Sequence, residues 1–324
     1  MVTSSVLAIA VLIVSLVAPA PAGAQAARSS ARIGVVRNQP PADPMHQAFV
    51  ASLRERGWVD GRNLTIEYLQ GEVAQFADLV RELVRRNVDV IFAPNPQQAR
   101  VARDATAKIP IVFAVVGDPV GTGLVKSLAR PGGNVTGLTG FGSDLAGKRL
   151  EILKELAPRI ARVAVLWNPA VPDKVLEWKL MQDPARALGL ELRSVEVRAP
   201  ADFPGAFEAI ARGKIDGLIT LGEPLTFGHR ATIIDFARFA RLPTVFNWRD
   251  TVESGALVAY GPSIVDLYRR AAVYVDKILR GAQPADLPVE QPVQFELAIN
   301  AKTATALGLT VPPSLRLRAD QVVE

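Results

Sequence analysis

The groups in this chain that can do chemistry are few. There are two histidines, His46 and His229, and no cysteine among 324 residues. Each histidine stands where a helix is expected to begin, and neither has a nucleophile or carboxylate partner in a motif, so both read as polar helix-start residues rather than catalytic bases. No G-x-S-x-G elbow is present. With no Cys and two scattered His, the usual zinc spacings are excluded and no cofactor is expected. "GDPVGTG" (117–123) is glycine-rich, but it is neither a Walker loop nor G-x-G-x-x-G. It reads as a tight turn leading into a helix start whose amides can accept an anion. Asn63-Leu64-Thr65 and Asn134-Val135-Thr136 match the glycosylation sequon and read as a strand start and a turn.

What remains is a set of groups suited to holding a polar small molecule, each placed just after an apolar run. They are Asn38 and Gln39; Asn95 and Gln97; Asp118 and Thr122; Trp167 and Asn168. Glu223, then Asn247, Trp248 and Arg249, and finally Tyr260 complete the set. Asp118 can pair with a ligand ammonium or cap a helix. Arg249 can hold a carboxylate through two parallel hydrogen bonds. Trp167 and Trp248 can stack on a flat ligand or seal the edge of a core.

The elements that must position these groups alternate strand and helix. "RIGVV", "LTIEYL", "VDVIFA" and "IPIVFAVV" are β-rich runs, and "FADLVRELVRRN" places Phe76, Leu79, Val80, Leu83 and Val84 at helical spacing. Strands that are apolar throughout and alternate with helices indicate a parallel sheet covered on both faces. From about residue 160 the order repeats. "ARIGVVRNQP" is echoed by "ARVAVLWNPA", "VDVIFAPNP" by "IDGLITLGEP", and "IPIVFAVVGD" by "LPTVFNWRD", at offsets of 130, 127 and 133 residues. "GNVTGLTGF" is echoed more weakly by "GALVAYGPS". Four echoes in one order indicate a duplication. The fold class is therefore α/β, with two similar doubly wound parallel-sheet lobes. Ligands of such sheets bind outside the carboxyl ends of the strands, so facing lobes share one cleft.

Composition bounds the setting. Hydrophobic residues make up 49% and charged residues 21%, as in a globular protein. Val6 to Ala18 is nearly all apolar and is followed by small-residue cleavage patterns, so residues 1–26 read as a signal peptide, although no Lys or Arg precedes the run. A membrane anchor is the other reading of this segment, though the run is short for a spanning helix. Without cysteine there is no lipid attachment and no disulfide. A soluble exported protein, periplasmic in a Gram-negative cell, is expected. The net charge of +5 is spread along helix faces such as "RELVRR", which argues against nucleic acid as a partner.

Longer stretches carry a family resemblance. "GWVDGRNLTIEY", "DVIFAPNPQQARVARDATAKIPIVFAVVGDPVGTGLVKSLARPGGNVTG" and "YVDKILRGAQPADLPVEQPVQFELAINAKTATALGLTVP" resemble the ABC-transporter substrate-binding proteins related to tryptophan-binding lipoproteins, of type I periplasmic binding protein fold. The resemblance covers about Arg32 to Glu324. It implies a closing flytrap that delivers a solute to permease subunits in the inner membrane; the solute is expected to be an amino acid or related carboxylate, and the protein a monomer. It also implies three crossings between lobes, expected near Gly140 to Asp144, Trp248 to Ser254 and Val289 to Glu296. The N-terminal lobe is then 32–142 plus 255–291, and the C-terminal lobe 143–254 plus 292–324. "GEPLTFGHR" departs from the acid-and-amide pair of some relatives, so tryptophan is not carried over. The competing readings are an exported α/β enzyme, which would need His46 and Glu223 or Asp118 to converge, and the same module feeding a membrane sensor.

Overall fold

The computed structural model describes residues 30–37, 43–140, 142–292 and 294–324. The expected signal peptide, Asn38 and Gln39 lie outside the described residues. The first sheet contains β1 (Ala31–Arg37), β2 (Leu64–Gln70), β3 (Val90–Phe92), β4 (Ile111–Val116) and β5 (Val135–Thr139), all parallel, in the order β2-β1-β3-β4-β5. Helices α1 (Pro44–Glu55), α2 (Phe76–Arg85) and α3 (Pro96–Ala105) alternate with them. The chain then enters α4 (Gly142–Leu156), β6 (Arg162–Trp167), α5 (Pro172–Ala187), β7 (Glu191–Glu196), α6 (Phe203–Arg212) and β8 (Gly217–Thr220). It continues through α7 (Pro224–Gly228), α8 (Arg230–Phe239), β9 (Thr244–Phe246), α9 (Asp250–Glu253) and β10 (Val258–Pro262). Last come α10 (Ile264–Leu279), β11 (Phe295–Asn300), α11 (Ala301–Ala306), α12 (Pro313–Arg318) and β12 (Gln321–Val323).

The second sheet runs β12-β11-β10-β9-β8-β6-β7. Its last five strands repeat the first sheet strand for strand, and the register repeats as well. Ile33 pairs with Val90, and their echoes Val163 and Gly217 pair with each other. Ile91 pairs with Ile111, and Leu218 with Thr244. The details between strands recur too. Asp89 accepts the backbone N–H of Arg32, and Asp216 that of Arg162. Asn87 and Lys214, at matching helix exits, both take a positive φ.

Both faces of each sheet are covered, as the apolar strands require. In the first lobe Ile33, Val35, Val112 and Ala114 pack toward α1 and α10, while Val36, Ile111 and Phe113 pack toward α2 and α3. In the second, Val163 and Val165 point to α4 and α5, and Ala164 and Leu166 to α6 and α8. Where β5 passes β4 the backbones approach closely. A Cβ on Gly137 would fall 2.0 Å from the Phe113 carbonyl oxygen, at φ 153°, so only glycine fits.

The chain crosses between lobes three times. The first crossing lies between β5 and α4, and the last lies between Glu290 and β11. Glu290 still pairs along β5 through Leu138. The middle crossing corrects the sequence reading. β10 pairs with β9 and β11, so residues 258–262 belong to the second sheet and not to the first lobe, and α9 packs on that sheet too. The chain returns at Ser263, whose side chain caps α10, and α10 packs on α1 and β4. A strand built to follow β9 in the repeat stays beside β9.

Candidate functional site

The carboxyl ends of the two sets of strands face each other, and the lobes enclose a cavity of ≈ 100 Å³. One water needs about 10–15 Å³ on this measure, so the space suits a small organic molecule. Two loops that echo one another form opposite walls. After β3, Asn95 caps α3 by accepting the N–H of Gln98 (3.0 Å), with Pro96 following. After β8, Glu223 caps α7 by accepting the N–H groups of Leu225 (3.1 Å) and Thr226 (2.9 Å), with Pro224 following. Both caps line the cavity. They are tied across it: Gln97 Nε2 donates to Glu223 Oε2 at 3.2 Å. A second tie runs from the Gly117 backbone N–H to Asp173 Oδ2 at 3.3 Å.

Asn247 and Trp248 also line the cavity. Asn247 Oδ1 accepts the Gly222 N–H at 3.0 Å. Trp248 lies over Gly222, where a Cβ would come within 2.6 Å of the indole, and meets Phe227 edge-on at a centroid distance of 5.1 Å. The rest of the lining is largely apolar. Met45 comes from α1, Pro94 from the loop after β3, Val115 from β4, and Ile264 and Tyr268 from α10.

Other expected site residues do different work. Asp118 Oδ1 accepts the Gly121 N–H (2.7 Å), and Thr122 Oγ1 donates to the Asp118 carbonyl (2.6 Å), so the pair closes its own turn. Trp167 is core. It is 4% exposed, stacks on Trp178 at 5.9 Å and donates Nε1 to Ser194 Oγ. Asn168 folds back to the Ala170 N–H. Arg249 faces Glu296 at 3.7 Å. The Tyr260 ring packs against the second lobe's core, and its carbonyl accepts Arg149 Nε. His46 is buried beneath the first lobe's end, with Nε2 2.7 Å from the Tyr68 hydroxyl, and burial, then nearby Arg37, push its pKa down to about 4. His229 Nδ1 meets the Leu225 carbonyl. Among the described residues, His46 has no hydrogen bond to Glu223 or Asp118; their partners are those just given.

Sequence reasoning missed a buried ionic cluster in the second lobe. Arg149 on α4 and Asp173, Lys174 and Glu177 on α5 are each 5% exposed or less. Arg149 Nη1 donates to Glu177 Oε1 (2.9 Å), and Lys174 Nζ to Glu177 Oε2 (2.7 Å). Burial disfavours the Glu177 charge, but Lys174 and Arg149 outweigh it and hold its pKa below the usual carboxylate range. For Lys174 burial is likewise overcome by Glu177 and Asp173, and its pKa is raised. Glu223 goes the other way. Burial pushes its pKa up despite its backbone and Gln97 hydrogen bonds. A signal for the cluster existed in the sequence. Arg149 shares a helix stripe with Ala146, Leu150 and Leu153, and Glu177 shares one with Asp173 and Met181, so charges stand where a core face should be apolar.

Residues 32–323 match the family model described as ABC transporter substrate binding protein. The chain belongs to this family. The substrate-binding protein is similar to a tyrosine-binding protein of Clostridioides difficile (strain R20291), 28% identical over 285 residues, which cover 87% of this chain and 80% of that one. It superposes on a Streptococcus pneumonia ABC domain in complex with L-Trp at a TM-score of 0.85, with 25% identity over 91% of this chain and 100% of that one. A ligand-free, open substrate-binding protein from Clostridium difficile gives 0.65, at 26% identity over 90% and 99% of the two chains. At similar identity and coverage, the chain fits the L-Trp complex better than the ligand-free, open structure. The fold is that of type I periplasmic binding proteins. Among the described residues, no helix is long and apolar enough to cross a membrane.

Proposed function

We propose that this substrate-binding protein captures an amino acid or related carboxylate outside the cytoplasmic membrane and hands it to the permease of an ABC importer. It acts as a soluble monomer, since one chain supplies both walls of the cavity. Asn95, Asn247, Trp248 and the buried charges beside them contact the ligand. The observation that carries this reading is the cavity between the lobes, apolar over most of its wall and charged at one side, bridged by Gln97–Glu223 and Gly117–Asp173. That lining suits a molecule with a compact polar head and an apolar body. The ligands of the two relatives, tyrosine and L-Trp, have that form.

Open and closed states interconvert, and a ligand touching both lobes shifts the balance to the closed state. Closure removes water and strengthens the polar contacts inside. The permease then reads the relative placement of the two lobe surfaces. A thermal-shift screen of the purified mature protein over amino acids and small carboxylates tests the proposal. A true ligand at a hundredfold excess over its Kd stabilises the fold by about 2.7 kcal/mol. Absence of any stabilising solute in this class, or chemical turnover of the solute that binds, overturns it.

A further inference from the structure

The two walls of the cavity differ in charge. Arg149, Asp173, Lys174 and Glu223, the charged residues that line it, all belong to the second lobe. Among the described residues the first lobe contributes Met45, Pro94, Asn95, Val115 and the α10 side chains Ile264 and Tyr268, none of them charged.

Within the charged wall most atoms are already matched. Both Glu177 oxygens are taken, and the Glu223 oxygens accept Leu225, Thr226 and Gln97. Besides Lys174 Nζ, which gives one of its three N–H groups to Glu177, two groups are left. Asp173 Oδ2 holds Gly117, but Oδ1 is buried and has no partner, in a residue only 4% exposed. Arg149 uses Nε on Tyr260 and Nη1 on Glu177, and Nη2 has no hydrogen-bond partner among the described residues. A buried carboxylate oxygen without a donor bears the full cost of its desolvation, so native sites supply one. The acid and the base stand in one wall: Asp173 adjoins Lys174, which shares Glu177 with Arg149.

We propose that the second lobe alone holds the head group of a zwitterionic α-amino acid, with Asp173 Oδ1 taking the ammonium and Arg149 Nη2 the carboxylate, while the first lobe closes over the side chain and selects it. This assignment rests on the amino-acid reading above. It adds a division of labour and an order of events. The ligand docks by its charges on the open second lobe, and the uncharged cavity wall of the first lobe then tests what projects.

Calorimetric titration tests it, with L-tyrosine, L-tryptophan, L-phenylalanine and L-leucine, each beside its ammonium-free acid and its carboxylate-free amine. Loss of either charge weakens binding roughly 10- to 100-fold. Asp173→Asn, which keeps an acceptor for Gly117, loses about tenfold or more for the amino acid and leaves the ammonium-free acid unchanged. Met45→Ala reorders the four amino acids but keeps the ratio between each and its ammonium-free acid. Melting curves confirm that both variants fold. If Asp173→Asn weakens both ligands equally, or the ammonium-free acid binds as well as the amino acid, the head-group assignment is wrong while the amino-acid reading stands. If none of the four amino acids binds, the amino-acid reading fails and takes the assignment with it.

Discussion

Gln97 Nε2, at the start of α3 in the first lobe, donates to Glu223 Oε2, the cap of α7 in the second, at 3.2 Å. This bond exists only when the lobes are together, so it belongs to the closed state and not to either lobe's fold. Gln97→Ala is expected to weaken ligand binding about tenfold, the worth of one hydrogen bond to a charged group. The melting temperature of the ligand-free protein should not move. Titration calorimetry beside a melting curve checks both halves, and unchanged affinity would show that the bond contributes nothing to closure.

Glu223 gives closure a pH dependence. Burial raises its pKa in the closed protein, and opening returns it toward the ordinary value of 4.5. The closed form therefore binds a proton more tightly than the open form, and closure is favoured as pH falls from neutrality toward that value. Ligand binding should take up protons at pH values above 4.5, where the open form has lost the Glu223 proton and the closed form still holds it. Titrations in buffers of different ionisation enthalpy measure the uptake directly. Glu223→Gln should reduce it, and equal uptake in both proteins would assign it elsewhere.

Stability on the acid side is set in part by His46. Its pKa in the folded protein is about 4 against an ordinary 6.5, because it is buried and Arg37 lies near. The unfolded chain binds the proton first, so this contribution is complete above pH 6.5 and is lost as pH falls toward 4. Between pH 7 and 4.5 the loss amounts to about 2–3 kcal/mol. Urea unfolding at those two pH values should show a smaller acid loss in His46→Gln, whose amide can still meet Tyr68. A loss of the same size in both would mean the ring is already protonated in the native state.

The two tryptophans that follow strands in the second lobe should separate cleanly. Trp167→Ala empties a stacked core position and should destabilise the fold by about 3–5 kcal/mol. Trp248→Ala strips the cavity wall. It should weaken ligand binding while leaving the fold largely intact. Denaturant unfolding and titration of the two variants test the contrast, and a reversal of the two outcomes would exchange their roles.

The repeated half of the fold was legible because duplication keeps both pattern and register. Val88 and Ile215 begin the same phrase and lead into strands that pair identically. The same repeat held the answer to the middle crossing. "GALVAYGPS" echoes β5, the strand that ends the first sheet's run, so its copy had to lie beside β9. The cleft residues were only half legible. Position after a strand brings a side chain to the right end of the sheet, but it does not separate Trp248, which meets the cavity, from Trp167, which turns under it onto Trp178. The ionic cluster stayed hidden for a different reason. Arg149 and Glu177 lie on helices rich in charge, and only their coincidence with the buried stripe marks them, which a face that appears solvated conceals.

The placement of α10 fixes the order in which the molecule can be finished. This helix lies beside α1 on the same face of the first sheet, yet it is encoded after the whole five-strand repeat of the second lobe. A chain growing from its amino end therefore carries an incomplete first domain, with Phe49, Leu53 and Val112 still lacking their cover, until residue 279 has been made. The domain that begins first cannot be closed until the one that begins second is nearly whole.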